Sequence, residues 1–216
     1  MSGVSSGCAS AGRNAEPGEG PAEGVLEAAV CALERWRARS SGVTVVAVDG
    51  PGAAGKSTIA ARLSARLELS LVHTDDFFRP ATPAVQARGA LADYYDLVRL
   101  RTEALAPLRS GNDAVFLPFD WDTGALSPGK VRLAPKDLVL VEGVCSAAPE
   151  LADLVDKAIY VDTPEPERLR RLRRLVAPED WDEQWLRAER EYFAVVRPPG
   201  SFDLVVCGTG LDPARS

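Results

Sequence analysis

A β-branched apolar run, a glycine-rich turn and an amphipathic helix follow one another without a gap between Val43 and Leu67. Val43-Thr44-Val45-Val46-Ala47-Val48 has the unbroken apolar character of a strand buried on both faces of a parallel sheet. The turn, Gly50-Pro51-Gly52-Ala53-Ala54-Gly55-Lys56-Ser57, matches G-x-x-x-x-G-K-[ST] in full. Beyond it Ile59, Ala60, Leu63 and Leu67 recur at helical spacing while Arg62 and Arg66 fall elsewhere, so a helix begins near Lys56. Glycines let backbone N–H groups turn inward, and a helix N-terminus adds partial positive charge. Gly50, Gly52, Ala53, Ala54, Gly55, Lys56, Ser57 and Thr58 are therefore the candidate cradle for polyphosphate oxygens. In such a cradle Lys56 reaches the β and γ oxygens and Ser57 offers a hydroxyl to Mg²⁺. A glycine turn with an incidental lysine is hard to sustain in a chain whose only lysines are Lys56, Lys130, Lys136 and Lys157.

The remaining pattern extends this unit into a fold. Residues 1–22 are rich in Ser, Gly, Ala and Pro, a composition that cannot offset the entropy of ordering, and are expected to be a disordered tail. Residues 23–216 are expected to form a single domain, opening with a helix to about Ser40. Strand-like apolar runs recur at 69–72, 115–117, 138–144, 158–161 and 204–207. Between most of them lie helical patterns, marked by Leu97, Leu100, Ala104 and Leu108, by Leu169, Leu172 and Val176, and by the stretch 181–196. The alternation predicts an α/β, three-layer P-loop NTPase fold: a parallel sheet of about five strands, helices on both faces, and a short lid at about 168–182. In such sheets the reactive groups gather at the carboxyl ends of the strands.

Composition removes several function classes. A net charge of −6, with arginines spread among acidic residues, gives no general attraction to nucleic acid. No apolar run approaches bilayer-spanning length and the N-terminus lacks a hydrophobic signal core, so a soluble cytoplasmic protein is expected. Cys8, Cys31, Cys145 and Cys207 have no metal-like or redox-pair spacing and read as small buried hydrophobes plus one tail thiol. With His73 the single histidine, a Ser-His triad has little to draw on, and base catalysis falls to a carboxylate.

Carboxylates stand at the predicted strand tips. His73-Thr74-Asp75-Asp76-Phe77-Phe78 follows the second strand, and Glu142 ends Leu138-Val139-Leu140-Val141. A carboxylate on an apolar strand is costly unless a cation or a hydrogen-bond donor meets it. Bound Mg²⁺ would satisfy Glu142; a helix cap for Asp75 or Asp76 and an arginine partner for Glu142 are the alternatives. With the phosphate loop, these residues make the inventory that phosphoryl transfer requires.

The chain resembles the uridine kinase branch of the P-loop nucleoside kinases, especially its shorter bacterial relatives. The resemblance runs over most of residues 43–210. It is carried by the loop Gly50 to Ser57, Asp75-Asp76-Phe77-Phe78, Tyr95-Asp96 with Leu105-Ala106-Pro107-Leu108, Phe119-Asp120-Trp121, Val141-Glu142-Gly143, the arginine-rich stretch after Asp162, and Asp203-Leu204-Val205-Val206. It implies an ATP- and Mg²⁺-dependent kinase in which Asp75 is the general base on the acceptor hydroxyl and Lys56 neutralises the moving phosphoryl. Ser57, Asp75 and Glu142 would be the metal-side groups, and Phe78, Asp96, Asp120 and Trp121 would line the acceptor pocket. Core packing is the other reading of Phe78 and Trp121. In the family's lid, arginines close over the phosphates, which implies catalytic roles for Arg171 and Arg174; a solvated face paired with Glu165, Glu167 or Glu179 is the alternative.

Two departures concern the acceptor. Where the family carries a pyrimidine-reading histidine the chain has Asp122-Thr123-Gly124-Ala125, and the ribose-binding F-D-H-P segment has no counterpart in residues 87–93. The acceptor is thus a small hydroxyl-bearing molecule, a nucleoside by resemblance. The alternatives are a kinase for a non-nucleoside alcohol, such as a vitamin precursor or an antibiotic, and a nucleotide-binding regulator without chemistry.

Overall fold

The computed structural model describes residues 21–79, 89–175 and 183–211. Its strands in chain order are β1 Thr44–Asp49, β2 Ser70–His73, β3 Ala114–Phe116, β4 Phe119–Asp120, β5 Ala125–Leu126, β6 Val131–Leu133, β7 Leu138–Glu142, β8 Lys157–Asp162 and β9 Leu204–Cys207. The helices used below are α1 Pro21–Arg37, α2 Lys56–Arg66, α3 over 97–109, α4 Glu165–Leu175 and α5 Glu183–Glu191, which runs on as the π-helical turn Tyr192–Val196. Residues 1–20 of the expected tail, and 176–182 of the expected lid, lie outside the described residues. None of the described helices is long and apolar enough to cross a membrane.

Five strands form one sheet in the order β2-β7-β1-β8-β9, every pairing parallel. β1 lies at the centre and is buried along its whole length, as its unbroken apolar run requires. Alternation splits it between two cores: Val46 and Val48 pack with Leu26, Leu33, Ile59 and Leu63 of α1 and α2, while Val45 and Ala47 pack with Leu100 and Leu108 of α3 and with Tyr192 and Phe193. Each fully buried leucine there contributes roughly 1.5–3 kcal/mol. The helices α1 and α2 are further tied where Arg66 donates to Glu23 and Glu27. In α3 the backbone widens into a π-helical stretch at Leu100–Leu105, just before Pro107, which has no N–H to donate.

The apolar run at 115–117 departs from the expectation of a strand in the parallel sheet. Ala114–Phe116 pairs antiparallel with Val131–Leu133 in a separate ribbon, and its Ala114 and Phe116 are buried while Val115 faces solvent. Three residues with one covered face suit a ribbon on the flank, whereas a central parallel strand needs cover on both faces. Cys31 also departs from expectation: it is exposed on α1, whereas Cys145 is buried.

Two features fix the carboxyl ends of the central strands. Asp49, the last residue of β1, is fully buried and accepts the N–H groups of Gly50 (2.7 Å), Cys145 (3.1 Å) and Ala147 (3.0 Å), which binds the start of the phosphate loop to the chain leaving β7. Burial pushes its carboxyl up to about 6, against the opposing pull of those N–H groups and of Lys56. Gly143 turns the chain away just after Glu142 with φ +130°, and a Cβ there would stand 1.9 Å from the Thr74 hydroxyl.

Gly143→Ala should therefore lower the unfolding free energy by about 2 kcal/mol or more, read by denaturant titration. Asp49 gives a pH signature. Its carboxyl is raised from 3.8 to about 6, so its stabilising contribution is complete below about pH 4 and lost as pH rises through 6. Relative to Asp49→Asn, the native protein should lose stability on the order of 3 kcal/mol between pH 4 and 6. A pH-independent difference between the two proteins would exclude this titration.

Candidate active site

Sheet register assembles the site. Glu142 of β7 stands opposite both Val48 of β1 and His73 of β2, so the phosphate loop, Glu142 and the turn carrying Asp75 emerge side by side. Glu142 is buried; one of its oxygens accepts from the Ser57 hydroxyl at 3.2 Å, and the other lies 2.6 Å from His73 Nδ1. The bond to Glu142 raises the His73 pKa, opposed by desolvation.

The loop itself is held from outside. Four consecutive carbonyls each accept from a side chain: Pro51 from Lys56 Nζ (2.9 Å), Gly52 from Arg168 (2.9 Å), Ala53 from Arg171 (3.3 Å) and Ala54 from Thr163 (2.8 Å). Turning carbonyls outward tips the peptide planes so that N–H groups point inward, and Ala53 adopts the left-handed φ of +57° that such a concave nest uses. Gly50 must be glycine: its φ is +148° and a Cβ would meet the Val161 carbonyl at 2.7 Å. Gly55 caps α2, whose first-turn N–H groups at Lys56, Ser57 and Thr58 have no preceding turn to bond. A nest of donors at a helix N-terminus is suited to a polyphosphate.

Asp75 lies on the 3₁₀ turn Thr74–Phe77 that follows β2 and is open to solvent. Desolvation raises its pKa; Lys56 and a hydrogen bond from the Tyr95 hydroxyl oppose that rise. Tyr95 is buried and its own pKa is driven up, mainly by desolvation and then by Asp75, so it remains a donor. Beside Asp75 lies an aromatic cluster drawn from four segments. Phe78 is at its centre, with ring centroids 4.6 Å from Trp121, 5.3 Å from Phe119, 5.7 Å from Tyr95 and 6.2 Å from Trp185. Trp121 is 60% exposed, so much of its side chain is open to solvent, while Phe78 is half-buried.

The sequence-derived site residues fall into two groups. The phosphate-loop residues, Lys56, Ser57, Asp75, Glu142, Phe78 and Trp121 come together at this end of the sheet. Asp96 and Asp120 are taken up locally. Asp96 caps α3 through the Arg99 N–H (3.1 Å) and pairs with Arg79 (3.0 Å). Burial would raise its pKa, but these partners outweigh burial and hold it below the usual range. Asp120 accepts from the N–H groups of Asp122 and Thr123 at the β4–β5 turn. Arg171 is buried, bonded to Glu167, Ala53 and the Gly208 carbonyl, so it grips the back of the loop. Arg174 sits exposed near the end of α4.

The sequence reading gave no site role to Asp49, Tyr95, Arg168, Trp185 or Glu189. Asp49 carried the same signal as Glu142, an acid at the tip of an apolar strand; Tyr95 stood only as a landmark of the resemblance, and Trp185 carried only aromaticity.

Oxygen donors from Ser57 and Glu142, with Asp75 close by, fit Mg²⁺, which takes one or two carboxylates and fills its remaining positions with water and phosphate. Among the described residues no group of three or more His, Cys, Asp or Glu side chains could hold a metal unaided.

Comparison with known proteins bears on this arrangement. A family model described as cytidylate kinase matches residues 46–120, less than half of the chain. No curated protein matches the sequence. In fold the chain is similar to a possible uridine kinase from Bacillus stearothermophilus, with 18% identity and a TM-score of 0.67 over 86% of this chain and 98% of that one. It is also similar to a protein from Silicibacter sp. TM1040 assigned as a fructose transport system kinase, with 23% identity and a TM-score of 0.60 over 83% of this chain and 98% of that one. The chain therefore has the P-loop kinase fold, the one found in uridine kinase-like and related P-loop kinases.

Proposed function

We propose that the protein is an ATP- and Mg²⁺-dependent phosphotransferase that moves the γ-phosphoryl of ATP to a hydroxyl of a small molecule. The observation that carries this reading is the placement of Asp75 beside Lys56 and Glu142, at the mouth of a phosphate loop. A protein that only bound nucleotide would need the loop but not a carboxylate set against an open aromatic face.

In this reading Asp75 accepts the proton of the acceptor hydroxyl as that oxygen bonds to the γ-phosphorus; the bond from phosphorus to the β-phosphate oxygen breaks and ADP leaves. Lys56 and the loop N–H groups hold the phosphate oxygens in line. Ser57 and Glu142 would hold Mg²⁺, which when bound would screen the phosphate charge. Phe78 and Trp121 orient the acceptor by stacking, while the Tyr95 hydroxyl donates to Asp75 and so opposes part of the rise in its pKa. Arg171 serves through the loop backbone it holds.

By resemblance the acceptor is a nucleoside. One oxygen of Asp96 is taken by Arg79 and the Arg99 N–H and one oxygen of Asp120 by its own turn, which reduces the acceptors open to a ribose and supports a non-nucleoside alcohol with a flat apolar part as the second reading. An ADP-release screen over nucleosides, pantothenate, sugars and aromatic alcohols separates the two. MgATP binding with no acceptor above background hydrolysis would instead favour the regulator.

On the acceptor found, Asp75→Asn should lower kcat by about 10²–10⁴-fold with MgATP affinity nearly unchanged by calorimetry. Retained turnover removes Asp75 from the role of base. Tyr95→Phe deletes a hydrogen bond that favours the ionised carboxylate, so the acid limb of the kcat/KM profile should move to higher pH. An unmoved limb would mean that Asp75 does not govern it.

A further inference from the structure

One helix touches both halves of the site. On α5, Trp185 and Glu189 are four residues apart and share a face. Trp185 makes edge-to-face contacts with Tyr94 (5.0 Å between centroids) and Tyr95 (6.0 Å) in the aromatic cluster beside Asp75. Glu189 reaches the phosphate loop, where one carboxylate oxygen accepts the Gly52 N–H at 2.5 Å and the other accepts from Arg168 at 2.9 Å. Arg168 in turn donates to the Gly52 carbonyl at 2.9 Å. The N–H and C=O of a single loop residue are thus held by one ion pair, whose side chains are 7% and 2% exposed. One turn further along the helix, Tyr192 comes within 3.5 Å of Asp49, where the loop leaves β1.

A buried ion pair is a poor choice if only stability is wanted, since apolar residues of similar size often serve as well. Its merit is directional. Both peptide groups flanking Gly52 are fixed in angle, and that angle sets where the following N–H groups of the nest point. Because α5 is one rigid element, a displacement at Trp185 is carried to Glu189.

We infer that Glu189 and Arg168 are positioning residues for the phosphate loop, and that through α5 the state of the aromatic pocket at Trp185 sets the loop's affinity for nucleotide. The inference rests on the reading of the loop as a nucleotide site. Glutamine at 189 is the informative change. Both partners of the carboxylate are donors, and an amide has only one acceptor oxygen, so either Gly52 or Arg168 would face an NH₂ group.

MgADP is the probe, titrated calorimetrically into the full chain as wild type, Glu189→Gln, Trp185→Ala and the double variant, with melting midpoints recorded alongside. Glu189→Gln should weaken MgADP about 10-fold. Trp185→Ala, which does not touch the loop, should weaken it about 3-fold or more in the wild-type background and have little effect beside Glu189→Gln. Three results overturn the inference alone: wild-type affinity in Glu189→Gln, wild-type affinity in Trp185→Ala, or an equal fold-change from Trp185→Ala in both backgrounds. A lowered melting midpoint with unchanged Kd counts as the second of these, because it marks a packing role only. If Glu189→Gln does not fold, Glu189→Asp keeps the charge, shortens the reach and carries the same cycle. Absence of MgADP binding by the folded wild type overturns the nucleotide reading, and this inference with it.

Discussion

A phosphate loop works only if its peptide planes are tipped so that N–H groups converge, and a short glycine-rich turn has no internal means of holding them there. In this protein the constraint is met from outside by donors aimed at consecutive carbonyls. Lys56 comes from the helix that follows the loop, Thr163 from the residues beyond β8, and Arg168 and Arg171 from α4. Much of the architecture follows from this requirement. The helix α4 must lie across the back of the loop, and Glu189 must follow to neutralise Arg168 where neither has water to help it. The arginine-rich stretch thus spends two of its guanidinium groups, those of Arg168 and Arg171, on backbone geometry.

The second organising constraint is register. Pairing β7 between β1 and β2 brings Glu142 level with Val48 and His73, and no side-chain rearrangement could substitute for that alignment. A slip of one residue would turn Glu142 to the opposite face and break its contact with Ser57. Asp49 and Gly143 guard against it from either side: Asp49 by binding the chain that leaves β7, Gly143 by permitting a turn too tight for any Cβ.

What the sequence disclosed and what it withheld divides along the range of the interactions. Strand, loop and helix around Gly50 to Ser57 were legible because each signal is local, and Glu142 stood out because an acid is costly on an apolar strand. The same reasoning applied to Asp49 and was not extended to it, since a residue abutting a strong motif is easily absorbed into the strand before it. The run at 115–117 misled because three apolar residues do not reveal whether one face or two will be covered. Arg171 shows the other limit. Its placement on a helix with an apolar face was readable, but the choice between phosphate, carboxylate and carbonyl as its partner depends on which element packs against α4. Likewise the aromatic cluster is assembled from Phe78, Tyr95, Phe119 with Trp121, and Trp185, segments whose meeting no spacing rule announces.

The partners that shape the loop lie far along the chain. Thr163 is 109 positions beyond Ala54, Arg168 116 beyond Gly52, Arg171 118 beyond Ala53 and Glu189 137 beyond Gly52. None of these contacts can form before the distant segment that supplies it has been made. During synthesis the signature motif therefore emerges early but remains an unshaped turn until β8, α4 and α5 have been made and docked. The shape of the loop is thus completed only by the docking of those distant segments, so a ligand of the loop would stabilise the finished fold and not the isolated motif.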